Sequence, residues 1–120
     1  MGKQILLVDD DPVIRLLVGD YLRAFGYSIK EAGNGIECLE SLKSEVPEVL
    51  ILDLNMPDMT GFEVLKTLRC ARETHNLPVV LLSAHHNIHQ IAREHEVAAD
   101  IYLHKPFEMQ SIREAIESLS

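Results

Sequence analysis

The sequence predicts an α/β fold, one parallel sheet with helices on both faces. Five short runs rich in Val, Ile and Leu recur along the chain, and helix-like amphipathic segments separate them. The first, third and fourth runs are nearly all apolar, as central parallel strands covered on both faces are. With 120 residues the chain fits a single domain, and it contains no internal repeat, low-complexity tract or linker. Right-handed crossovers would join the successive strands.

Each element has its own local warrant. The first strand is expected over Gln4–Val8. Asp11 before Pro12 has the pattern of an N-cap followed by proline at the first helical position, and Gly26 closes that helix. A helix over Pro12–Phe25 then places Ile14, Leu17, Val18, Tyr21 and Phe25 on one face. The second strand, Tyr27–Glu31, alternates in character and suits a sheet edge. A helix over Gly35–Ser44 carries Leu39 and Leu42, and Val49–Asp53 forms the third strand. Phe62, Leu65 and Leu68 mark a third helix over Gly61–Arg72, and Leu77–Ser83 forms the fourth strand. Ile88–His95 has few apolar anchors but keeps helical spacing. Ile101–His104 supplies the fifth strand, and Glu108–Leu119 ends the chain as a helix carrying Ile112, Ile116 and Leu119.

Composition excludes several functions. The formal charge of −8 (11 Lys and Arg against 19 Asp and Glu) would repel nucleic-acid phosphates. The longest apolar runs, such as residues 49–52, are far short of a membrane span, and because Met1-Gly2-Lys3 leads directly into a strand-like run, no signal peptide is expected. Cys38 and Cys70 both fall in helix-like segments, so a reducing cytoplasm is the expected setting.

In an open α/β sheet, ligands bind beyond the carboxyl ends of the strands. The first strand ends in Asp9-Asp10-Asp11, the third in Asp53, the fourth in Ser83-Ala84, and the fifth runs into Lys105-Pro106. If the first and third strands are neighbours, Asp9, Asp10 and Asp53 form a carboxylate cluster whose mutual repulsion a divalent cation would relieve. Hard oxygen donors favour Mg2+. Asp residues also end strands as turn formers and caps, which is the better account of Asp11. Lys105 at the same edge would pair with the carboxylates or stabilise charge on a transferred phosphoryl group, and its bond to Pro106 can be cis. Ser83 is either an ordinary strand-end hydroxyl or a donor to a phosphoryl oxygen. His85 and His89 have the spacing of a metal pair, but no acidic or Cys ligand is placed to complete a tetrahedral set.

Four segments together resemble the receiver domain of two-component response regulators. They are Leu7-Val8-Asp9-Asp10-Asp11-Pro12, then Leu52-Asp53-Leu54-Asn55-Met56-Pro57 with Gly61, then Ser83-Ala84, and Tyr102-Leu103-His104-Lys105-Pro106-Phe107. The resemblance covers essentially the whole chain. It implies a doubly wound (βα)5 three-layer sandwich of the flavodoxin-like kind, with strand order 2-1-3-4-5.

For the site, the resemblance implies Asp53 as phosphoacceptor, and Asp10 as a direct Mg2+ ligand with Asp9 assisting. The backbone carbonyl of Asn55 would complete the metal site. It further implies Ser83 and Lys105 as phosphoryl contacts and Tyr102 as the aromatic switch residue. Asn55 and His85 lie where the family tunes dephosphorylation. Receivers commonly carry glycine before the fifth strand, where this chain has Val97-Ala98-Ala99-Asp100.

The function so implied is a signalling switch rather than an enzyme. It takes a phosphoryl group from a histidine kinase or phosphotransfer protein and slowly releases it to water. Phosphorylation would alter the surface of the fourth helix, fifth strand and fifth helix for a downstream protein target, as a monomer or a weak phosphorylation-dependent dimer. The alternative is a small Mg2+-dependent phosphatase with an aspartyl nucleophile, but the D-x-D motif of such enzymes has Asn55 in its second position here. Leu16, opposite the expected core face of the first helix, is a candidate docking residue for the phosphodonor. The expected organisation is one receiver domain over residues 1–120 with no output domain.

Overall fold

The computed structural model describes residues 3–119. In chain order the elements are β1 (Gln4–Val8), α1 (Pro12–Ala24), β2 (Ser28–Ala32), α2 (Gly35–Ser44), β3 (Val49–Asp53), α3 (Gly61–Cys70), β4 (Val79–Ser83), α4 (Ile88–Glu94), β5 (Ile101–His104) and α5 (Met109–Ser118). The five strands are parallel in the order β2-β1-β3-β4-β5, the doubly wound arrangement expected from the sequence. Among the described residues no helix is long and apolar enough to cross a membrane.

Strand alternation divides the core into two layers. Leu6, Val8, Leu50, Leu52, Val79 and Leu81 face α2, α3 and α4. Ile5, Leu7, Val49, Ile51, Val80 and Leu82 face α1 and α5. The central strands β3 and β4 are buried along their whole length, which is why they read as unbroken apolar runs. β2 buries only Ala32, in keeping with its place at the edge.

The caps follow the local sequence. Asp11 accepts the N–H of Val13, and Thr60 and Glu63 form a reciprocal capping box at the start of α3. Gly26, just past α1, has φ +94°, which glycine adopts without steric cost. Glu96, just past α4, has φ 58°, and its N–H and that of Val97 donate to the carbonyls of Arg93 and Ala92. This is the turn that glycine usually closes, and here a glutamate closes it.

Several boundaries and one face differ from expectation. β2 begins one residue later, at Ser28, and β4 begins at Val79 because Leu77 is drawn into a turn by its N–H bond to the Thr74 carbonyl. α3 ends at Cys70, where Ala71 is extended. α1 buries Val18, Gly19 and Leu22, whereas Leu17 and Phe25 are each 53% exposed. The buried face is rotated from the expected one, and Phe25 lies past the last helical residue. Its ring instead sits beneath the Arg113 guanidinium, 4.4 Å away, and against Tyr21 at 5.0 Å.

Candidate functional site

The carboxyl ends of β1 and β3 lie side by side, since Val8 pairs with Leu52, and each strand then delivers an aspartate. Oxygens of Asp9, Asp10 and Asp53 all lie within 4.8 Å of one another. Asp9 is fully buried and Asp53 is 3% exposed, while Asp10 faces solvent. The N–H of Lys105 donates to the Ser83 carbonyl at 2.8 Å, which continues the β4–β5 pairing past the strand end. That bond sets where the lysine side chain starts. Its Nζ reaches between two carboxylates, 3.2 Å from Asp9 Oδ2 and 3.0 Å from Asp53 Oδ1.

Burial and the neighbouring charge of Asp9 push the Asp53 carboxyl up to about 6, against the lowering effect of its hydrogen bond and charge pairing with Lys105. Burial disfavours the Lys105 ammonium, yet the hydrogen bond and charge of Asp53, with Asp9, hold its pKa above the ordinary lysine value. One ammonium therefore only partly offsets three carboxylates. With its carboxyl at about 6, Asp53 is largely ionised at neutral pH.

The rest of the site is placed by backbone contacts. The Asp9 carboxylate also accepts the Asp11 N–H at 2.9 Å. Ser83 is buried, and its Oγ accepts the His85 N–H at 3.0 Å, which leaves the hydroxyl proton available for another acceptor. His85 is exposed, as is Asn55 at the start of the loop after β3. Gly61 packs so closely that a Cβ there would fall 2.9 Å from the Asp53 carbonyl oxygen, and its N–H bonds the Leu54 carbonyl at 2.7 Å.

The structure thus brings Asp9, Asp10, Asp53 and Lys105 together, with Ser83 at the adjacent strand end. Tyr102 is not among them. It is half-buried against the α2–α3–α4 layer, its hydroxyl accepts the Ala99 N–H at 3.0 Å, and its ring lies 4.4 Å from that of His89. His86 stacks on His104 at 4.7 Å and His95 on Phe62 at 4.5 Å. Among the described residues, the aspartate trio is the one group of three or more His, Cys, Asp or Glu side chains close enough to share an ion. Leu16 is 56% exposed, and Val13 and Leu17 extend it into an apolar patch on α1.

Two supporting residues carry no local sequence signal. Arg15, expected beside Leu16, turns inward, and its Nη1 donates to the Asp9 carbonyl at 2.6 Å while Nε pairs with Glu31. Asp58 crosses from the loop after β3 to the start of α2 and accepts from Gly35 and Ile36. The partners of Asp58 are 22 and 23 residues away, so no spacing rule points to them.

A doubly wound sheet of this order carries a carboxylate cluster and a lysine at the carboxyl ends of its strands, which is the combination the resemblance to receiver domains implies. The family described as response regulator receiver domain matches residues 5–117, and the chain belongs to that family. It is 32% identical over 117 residues to sporulation initiation phosphotransferase F of Bacillus subtilis, covering 98% of this chain and 93% of that protein. It is 34% identical over 119 residues to response regulator MprA of Mycobacterium tuberculosis, where it covers 99% of this chain but 51% of the relative. Among solved structures, chemotaxis response regulator CheY4 of Vibrio cholerae superposes with a TM-score of 0.92 at 29% identity over 100% of both chains. The receiver domain of a sensor histidine kinase from Pseudomonas aeruginosa, solved with magnesium in its active-site cleft, matches with a TM-score of 0.87 at 26% identity, covering 99% of this chain and 98% of that one.

Proposed function

We propose that this receiver domain is a phosphoacceptor switch in which Asp53 takes a phosphoryl group from a phosphohistidine on a kinase or phosphotransfer protein. The observation that carries this reading is a buried, ionisable Asp53 with the Lys105 ammonium at 3.0 Å and two further carboxylates beside it. A carboxylate oxygen of Asp53 attacks phosphorus, the P–N bond breaks with its electron pair returning to the imidazole, and an acyl phosphate forms. Lys105 would then turn from the Asp53 carboxylate to the phosphoryl oxygens, and the Ser83 hydroxyl proton would donate to one of them.

The donor set fits a hard divalent cation, because three clustered carboxylates face only one ammonium and offer oxygen alone. Asp9, Asp10, Asp53 and the Asn55 carbonyl would hold Mg2+, which when bound neutralises charge on the transferring group. Moving Ser83 towards the phosphoryl group draws on the β4–α4 loop through the His85 N–H, and freeing Tyr102 from Ala99 carries the change to the α4–β5–α5 surface. Asn55 and His85, both exposed at the mouth of the site, would set the rate at which water removes the phosphoryl group. The patch of Val13, Leu16 and Leu17 gives the phosphodonor an apolar landing on α1, the helix that begins two residues after Asp10. A downstream protein target reads the switched surface, and the cytoplasm is the setting.

The test is intact mass after incubation with a small acyl-phosphate donor and Mg2+. Wild type should gain one phosphoryl group and Asp53→Asn none. An equal gain in both proteins refutes the assignment, and sustained turnover of a generic phosphate ester would favour the aspartyl phosphatase instead.

A further inference from the structure

The first turn of α2 is capped from two directions. Its own N-cap, Asn34, accepts the Glu37 N–H at 2.9 Å. The N–H groups of Gly35 and Ile36, the two that Asn34 cannot reach, donate to Asp58 Oδ1 and Oδ2 at 2.9 and 2.8 Å. Asp58 belongs to the segment between Asp53 and α3, not to α2. Those two N–H groups, Ile36 first, hold the Asp58 carboxyl below its usual range, so it is charged at neutral pH and complements the positive end of the helix.

The same segment begins with Leu54 and Asn55 and ends where Gly61 closes onto Leu54. Among the described residues, the Asp58 bonds are the hydrogen bonds that tie residues 55–59 to another element. Met59 fits beside them, so close that a Cβ on Gly35 would overlap its side chain. The loop is therefore pinned at Leu54–Gly61 on one side and at Asp58–α2 on the other, with Asn55 between the pins.

We propose that Asp58 is a positioning residue for the cation site, clamping the loop to α2 so that the Asn55 carbonyl is held at the carboxylate cluster. This rests on the reading of that cluster as a Mg2+ site. Asp58 itself touches neither the cation nor the phosphoryl group. A loop released from the clamp samples more backbone states, and ordering it again on binding weakens cation affinity.

Calorimetric titration of the full chain with Mg2+ tests the clamp, in wild type, Asp58→Ala, Asp58→Asn and Asn34→Ala. Asp58→Ala should lose about tenfold in affinity, with Asp58→Asn intermediate because it keeps one acceptor oxygen. Hydrogen exchange at the Gly35 and Ile36 amides should speed up in both. Asn34→Ala weakens the same helix end without releasing the loop, so its affinity should stay within about twofold of wild type. Wild-type affinity in Asp58→Ala, or equal losses in Asp58→Ala and Asn34→Ala, overturns the clamp while leaving the site intact. If Asp58→Ala does not fold, Asp58→Asn decides between the same outcomes. A wild type that binds no Mg2+, or binds as Asp53→Asn does, overturns the cation site itself and the clamp with it.

Discussion

Lys105→Met removes the ammonium from between Asp9 and Asp53 while keeping most of the aliphatic stem. Removing one partner of a buried ion pair costs about 3–5 kcal/mol in general, and the 24% exposure of the lysine side chain reduces that here to about 2–3 kcal/mol. For a chain of this size the loss corresponds to a fall in Tm of roughly 10 °C.

The pH dependence gives the sharper test. The Asp53 carboxyl titrates at about 6 in the fold, against a reference of 3.8, so its ionisation opposes folding and native stability falls as pH rises from about 4 through 6. That penalty amounts to about 3 kcal/mol by the usual conversion of a pKa difference. Without Lys105 the carboxyl would titrate higher still, so the gap between variant and wild type should be narrower near pH 5, where only the pairing with Asp9 is at stake, and widen above pH 6. Mg2+ should narrow it by supplying the missing positive charge. Thermal unfolding followed by circular dichroism at pH 5 and pH 8, each with EDTA and with excess Mg2+, measures all four corners. A gap that is the same at both pH values and indifferent to Mg2+ would show that Lys105 acts through packing alone, and the electrostatic account would fail.

Glu96→Gly relieves a left-handed residue past α4 and should raise stability by about 0.5–1 kcal/mol, read from urea midpoints at constant slope. Gly61→Ala would drive a Cβ into the Asp53 carbonyl and the Leu54 backbone, so it should cost about 2–3 kcal/mol by the same measurement, with weakened phosphorylation of Asp53. Leu16→Ala should slow phosphotransfer from a histidine kinase but leave labelling by a small acyl phosphate unchanged; equal rates from the kinase would remove Leu16 from the docking surface. Tyr102→Phe deletes the acceptor for the Ala99 N–H, so that amide should exchange faster, while phosphorylation of Asp53 should proceed at the wild-type rate.

Local chemistry was enough to place most elements. Asp11-Pro12 fixes a helix start through a bond made within one turn, and the apolar runs at residues 49–53 and 77–83 contain the strands that are buried on both faces. The order of chemical residues along the chain also identified Asp9, Asp10, Asp53 and Lys105 as one group, because a parallel sheet brings all its strand ends to one edge.

Other features depend on partners remote in sequence. Helical spacing put Leu17 and Phe25 on the core face of α1; packing in the layer of Ile5, Leu7 and Ile112 buries Val18 and Leu22 instead, leaving Leu17 exposed and Phe25 under Arg113. Arg15 turns inward because the Asp9 carbonyl and Glu31 meet on that side. Asp58 finds its partners only once α2 and the loop after β3 lie together. The raised Asp53 carboxyl likewise depends on burial and on Asp9, which lies 44 positions earlier in the chain. The sequence by itself thus determined the order of charged strand ends and the start and close of α1 at Asp11 and Gly26, where the cap is set by neighbours within a few residues. Only the tertiary structure decided which helix face is buried, how the carboxylates are held and how strongly each is charged, since those depend on groups that folding alone brings into contact.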